Sequence, residues 1–109
     1  MPKLIADEDD AGDLEDSLAE RGFTHLRVRH RGALLTIESG PKGAPVPHAR
    51  LRRDTVHLWI LEMPTHTERW EPTPFRQTMD QHVELLATQF AWALAPLPAI
   101  QRGTSGRQY

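Results

Sequence analysis

Residues 24–38 read Thr24-His25-Leu26-Arg27-Val28-Arg29-His30-Arg31-Gly32-Ala33-Leu34-Leu35-Thr36-Ile37-Glu38, and their period of two decides the fold class. Leu26 and Val28 point one way along an extended chain while His25, Arg27 and Arg29 point the other. A two-residue turn at Arg31-Gly32 sets Val28 opposite Leu35 and Leu26 opposite Ile37, which closes an apolar face. The same register sets His25 opposite Glu38 and Arg27 opposite Thr36, so a single hairpin satisfies both faces.

Residues 39–47 are too rich in Pro and Gly for anything but a loop. A second hairpin is expected from residues 49–53, a turn at Asp54-Thr55, and residues 56–63. It pairs Leu51 with Leu58 and Ala49 with Ile60 on an apolar face, and Arg52 with His57 and Arg50 with Trp59 on a basic one. Residues 64–67 read as a turn and residues 68–71 as a short last strand, ended by Pro72 and Pro74.

Helical spacing flanks this sheet. Ala11, Leu14 and Leu18 recur on one face of residues 7–21, with acids at the positive end of the helix dipole and Gly22 as a stop. At the other end, Thr78 and Gln81 match a capping box. Met79, Val83, Leu86, Phe90 and Leu94 make the stripe of a helix that Pro96 and Pro98 stop near Ala95. The expected fold is α+β: an N-terminal helix, an antiparallel sheet of four to five strands built from two hairpins, and a C-terminal helix packed on one sheet face. Residues 1–95 are expected to form one domain and residues 96–109 a flexible tail.

With 109 residues, 39 % of them apolar, the chain has room for one small core. It holds no cysteine, which excludes disulfides and thiolate chemistry, and no apolar run long enough to cross a bilayer. Its acidic start lacks the basic and apolar order of a secretory signal, so a cytoplasmic location is expected. The net charge of −2 conceals a division. Residues 1–20 carry eight acids against Lys3, and residues 21–53 carry eight bases against Glu38. The acidic helix could neutralise the basic sheet, within the chain or from a neighbouring copy.

The expected registers gather His25, Arg27, Arg29, Arg50, Arg52, His57 and Trp59 on the outward sheet face. Cations for phosphates and an aromatic platform for bases are what single-stranded nucleic acid requires. Such residues also suit a wet sheet face that displays long polar side chains. On the last helix, Leu85 and Trp92 fall well away from the apolar stripe and are candidates for a protein interface, including a homodimer.

Chemistry finds less support. The six histidines lack metal-ligand spacing, since His25 and His30 point to opposite faces, and they read as surface or turn residues. None of Ser17, Ser39 and Ser105 sits in a nucleophile elbow, and Glu62, Glu68 and Glu71 form a paired-carboxylate site only if a hairpin brings them together. The expectation is a small non-enzymatic interaction or accessory protein acting by protein contact, without cofactor or metal. A nucleic-acid-binding module using the basic sheet face is the alternative.

Overall fold

The computed structural model describes residues 5–65, 67 and 69–95. In chain order they form α1 (Glu8–Glu20), β1 (Arg27–Arg31), β2 (Leu34–Ser39), β3 (Val46–Arg53), β4 (Trp59–Pro64), β5 (Trp70–Gln77), α2 (Met79–Thr88) and α3 (Ala91–Leu94). The five strands make one antiparallel meander in the order β1-β2-β3-β4-β5, so the class is α+β as expected. The expected tail, residues 96–109, lies outside the described residues. Among the described residues no helix is long and apolar enough to cross a membrane.

Both main helices begin on reciprocal caps. The Asp7 side chain accepts from the Asp10 N–H and Asp10 answers at the Asp7 N–H; Thr78 and Gln81 do the same for α2. Ala11, Leu14 and Leu18 of α1 and Val83 and Leu86 of α2 share one core cluster with Leu35, Ile37, Leu51, Trp59 and Leu61 of the sheet. Burial of this apolar area is the main term holding the layers together, at about 25 cal/mol per Å².

The first hairpin keeps the expected faces but not the expected partners. Its turn is Gly32-Ala33, one residue later, so Val28 pairs with Ile37 and Arg27 with Glu38. Gly32 adopts φ +57°, the positive value a tight hairpin turn needs at its first central position. A shift of two leaves side-chain parity intact.

The second hairpin corrects the sequence reading. Residues 54–58 form a longer loop closed by Asp54 N–H and Thr55 N–H on the Leu58 carbonyl and by Leu58 N–H on Thr55 Oγ1. Arg53 therefore pairs with Trp59, Leu51 with Leu61 and Arg50 with Glu62. This odd shift turns β4 over: Trp59 and Leu61 face the core, Ile60 and Glu62 the other side.

Two further expectations are corrected. Pro72 and Pro74 do not end the last strand, because β5 is an edge strand and a missing N–H is tolerated there. The ladder shifts between Ile60 and Glu62, and Thr73 Oγ1 donates to the Leu61 carbonyl at 2.8 Å in that gap. The last helix is also broken, at Gln89-Phe90, where the N–H groups of both residues converge on the Leu85 carbonyl. Phe90 thereby packs edge-on against Phe75 at 5.9 Å, and α3 is left separate.

Candidate functional site

One sheet face is lined by the core. On the other, the registers place Arg27, Arg29 and Arg31 of β1 in a row. Leu34, Thr36 and Glu38 of β2 lie beside them, and then Arg50 and Arg52 of β3. Ile60, Glu62 and Pro64 of β4 and Trp70, Pro72 and Arg76 of β5 complete the face. Arg29, Arg31, Arg52, Pro72 and Arg76 are exposed, so none of the described helices covers this side.

Two buried carboxylates organise the arginines. Glu38 lies 3.4 Å from Arg27 Nε and 3.5 Å from Arg29 Nη2. Glu62 accepts from Arg50 Nε at 2.5 Å and from Arg52 Nε at 2.9 Å. Burial opposes ionisation of Glu62, but the hydrogen bonds and charges of Arg52 and Arg50 outweigh it and hold the carboxyl below its ordinary range. The Arg50 guanidinium in turn lies 4.5 Å from the centroid of the Trp70 ring. Six guanidinium groups thus share a face with two carboxylates, and Arg31 makes no ion pair among the described residues.

A hollow of about 430 Å³ opens among Arg29, Arg31, Leu34, Thr36, Arg50 and Trp70. A second of about the same volume, which includes Arg27 and Lys42, shares Arg29, Glu38 and Pro45 with it. The two hollows adjoin at Arg29, Glu38 and Pro45, and Arg27, Arg29, Arg31, Arg50 and Lys42 make this trough basic.

Arg27, Arg29, Arg50 and Arg52 therefore stand together as expected, whereas the other three residues assigned to this face do not. Trp59 is 3 % exposed on the core side, with Arg53 stacked 4.9 Å from its ring centroid. His57 lies in the 54–58 loop, beside Asp10, Asp13 and Asp16 of α1, because the loop ends the ladder before it. His25 precedes β1, and its Nε2 donates to the Leu94 carbonyl at 2.6 Å. The aromatic of the basic face is Trp70, which pairs with Pro64 at the start of β5 and carries the Arg50 guanidinium over its ring.

At the proposed protein interface, Leu85 is partly buried and packs against the core, while Trp92 is 72 % exposed. The break before α3 separates them. Trp92 borders an apolar hollow of about 400 Å³ with Phe90, Met63, Pro64 and Pro47.

Two histidines expected at the surface are buried and serve the fold. The His82 Nε2 bonds the Trp59 carbonyl at 2.7 Å, so that nitrogen carries the proton. Its position is legible in retrospect, since residues 79, 82, 83 and 86 follow core-facing helical spacing. His48 donates from Nδ1 to the Ala93 carbonyl at 2.8 Å and accepts at Nε2 from Ser39 Oγ at 2.7 Å. Both polar side chains are buried and satisfied, which makes the pair a strut holding α3. Burial lowers the affinity of both histidines for a proton despite their carbonyl partners. Among the described residues no group of three His, Cys, Asp or Glu side chains could hold a metal ion. Glu62 is engaged by arginine, so it is not a free member of a carboxylate pair; Glu68 lies outside the described residues.

No family model, curated protein or solved structure matches this chain.

Proposed function

We propose that this chain is a non-enzymatic interaction module of the cytoplasm whose uncovered sheet face receives an acidic segment of a protein partner. The supporting observation is the composition of that face: arginines and Trp70 interleaved with Leu34, Ile60, Pro64 and Pro72 around a basic trough. Arg and Trp are enriched among residues that dominate protein interfaces, and the aliphatic and proline side chains add apolar area that phosphates do not use. Four of the six arginines are already steered by Glu38 and Glu62, which fixes their geometry and moderates the field.

Single-stranded nucleic acid is the second reading, favoured by the stacked Arg50 and Trp70 pair near Arg31, which makes no ion pair among the described residues. Fluorescence anisotropy with an Asp/Glu-rich peptide of about 20 residues and an oligothymidylate of about 20 nucleotides separates the two, using salt from about 0.05 to 0.2 M. The protein reading expects the peptide to bind more tightly and with the shallower salt slope, and to be lost on Arg29→Ala with Arg50→Ala. Tighter, steeply salt-dependent binding of the oligonucleotide favours the second reading. Binding of neither probe would overturn the assignment of this face.

A further inference from the structure

The face opposite the trough is its electrostatic counterpart. Asp9, Asp13, Asp16 and Glu20 of α1 are all exposed, and their spacing of four, three and four residues puts them on one stripe. None of the four makes an ion pair among the described residues. The buried side of the same helix, Ala11, Leu14 and Leu18, joins the core. The acidic stripe therefore lies on the side of α1 away from its core-facing residues, with Asp13 and Asp16 bordering a hollow they share with Arg53 and His57, and the acidic helix does not cover the basic face of its own chain.

The two surfaces also match in size. Eleven residues of helix separate Asp9 from Glu20, about 16 Å at 1.5 Å per residue. The β1 row from Arg27 to Arg31 runs about 14 Å at roughly 3.4 Å per residue. The β1 and β3 arginines lie two strands apart, about 9.6 Å, which is close to the diameter of a helix of about 10 Å. Between them the β2 floor presents Leu34 and Thr36, with the Glu38 carboxylate buried at one end against Arg27 and Arg29. A helix laid along β2 would have arginines on both flanks.

Resting on the reading of this face as a docking site for an acidic protein segment, we infer that one such segment is the α1 helix of a second copy of this chain. Because donor and acceptor surfaces lie on opposite sides of one molecule, the contact is head-to-tail and leaves a free surface at each end. Association then extends or closes into a ring, and it weakens with salt because its attraction is between exposed charges.

The test is sedimentation velocity across a protein concentration series, at about 0.02 M and about 0.5 M salt, where screening lengths differ severalfold. The wild type is expected to grow in mass with concentration at low salt and to be a monomer at high salt. Two variants sharpen the result: Asp9→Asn/Asp13→Asn/Asp16→Asn removes the acidic stripe, and Arg29→Ser/Arg31→Ser/Arg52→Ser removes the basic rows. Each retains one intact surface, and a thermal unfolding transition for each confirms the fold. Each alone should be a monomer, and the two mixed should form a one-to-one pair that grows no further. A wild type that stays monomeric at low salt, a mass that plateaus at the dimer, or a mixture that stays monomeric overturns the inference. If the acidic peptide still binds the wild-type trough in that case, only the second copy is excluded as partner.

Discussion

Glu62→Gln should weaken the fold while strengthening anion binding, two effects of opposite sign from one substitution. The Glu62 carboxylate is buried, and Arg50, which it engages, is also largely shielded. Charge-assisted hydrogen bonds contribute about 1.5–3 kcal/mol each. Arg52 is half-exposed, so its share is screened, and glutamine keeps one acceptor oxygen. A loss of about 2 kcal/mol follows, or a fall of about 8–12 °C in Tm for a domain of this size. The same change leaves Arg50 and Arg52 without their anion and adds one positive charge to the trough. Affinity for an acidic peptide should then rise, and its salt dependence should steepen. Because the folded carboxyl titrates below its ordinary 4.5, its stabilisation is complete above that pH and is lost as the pH falls toward the lower folded value. The variant should lack this part of the acid limb. Urea unfolding at several pH values and peptide anisotropy measure all three. Unchanged stability, or weaker peptide binding by a folded variant, would refute the account of Glu62 as the anchor of the arginine face.

The core tryptophan and the most exposed one should separate cleanly: Trp59→Ala is expected to cost about 3–5 kcal/mol in urea unfolding, and Trp92→Ala less than about 0.5 kcal/mol. Gly32→Ala meets no neighbouring atom within 4 Å but must hold φ +57°, so a loss of about 1–2 kcal/mol should come from the backbone alone. His48 and His82 bind protons more weakly when folded than their ordinary value of 6.5. Stability should therefore be full above about pH 6.5 and decline as the pH falls through the window down to the folded values, seen as a falling Tm in a buffer series. A Tm that is flat across that window would show that the two rings are not held neutral.

The α+β order was legible because residues 24–38 and 79–86 keep their periods over more than one turn or pleat. The first hairpin tolerated a misplaced turn, since a shift of two preserves faces. The second did not, because the length of the 54–58 loop fixes parity and no tight-turn residue marks its ends. A signal was nonetheless present in Glu62. With Ile60 facing inward, Glu62 would share the apolar face; the opposite parity sets it against Arg50. Trp70 was missed for a different reason. Pro72 and Pro74 argued against a continuing strand, and only the edge position, a property of the assembled sheet, makes them acceptable.

The irregularity between β2 and β3 has a consequence for how this chain can change in length. Ile37 pairs with Ala49 but Glu38 with Pro47, so His48 is an extra residue, and His48 and Ala49 are both buried in succession. In the language of periodic lattices this is a half-period phase slip, and everything downstream in β3 inherits its phase. Residues 41–45, all exposed, can lengthen with little penalty, about 0.6 kcal/mol for each doubling of a loop. Removing His48 or Ala49 would instead erase the slip: the ladder closes with Leu51 still opposite Leu35 and Arg50 opposite Thr36, but the His48 strut to Ser39 and Ala93 is lost or is forced into the place of Ala49 opposite Ile37. Gaps in this chain's natural variants should therefore crowd into that loop and stop short of His48.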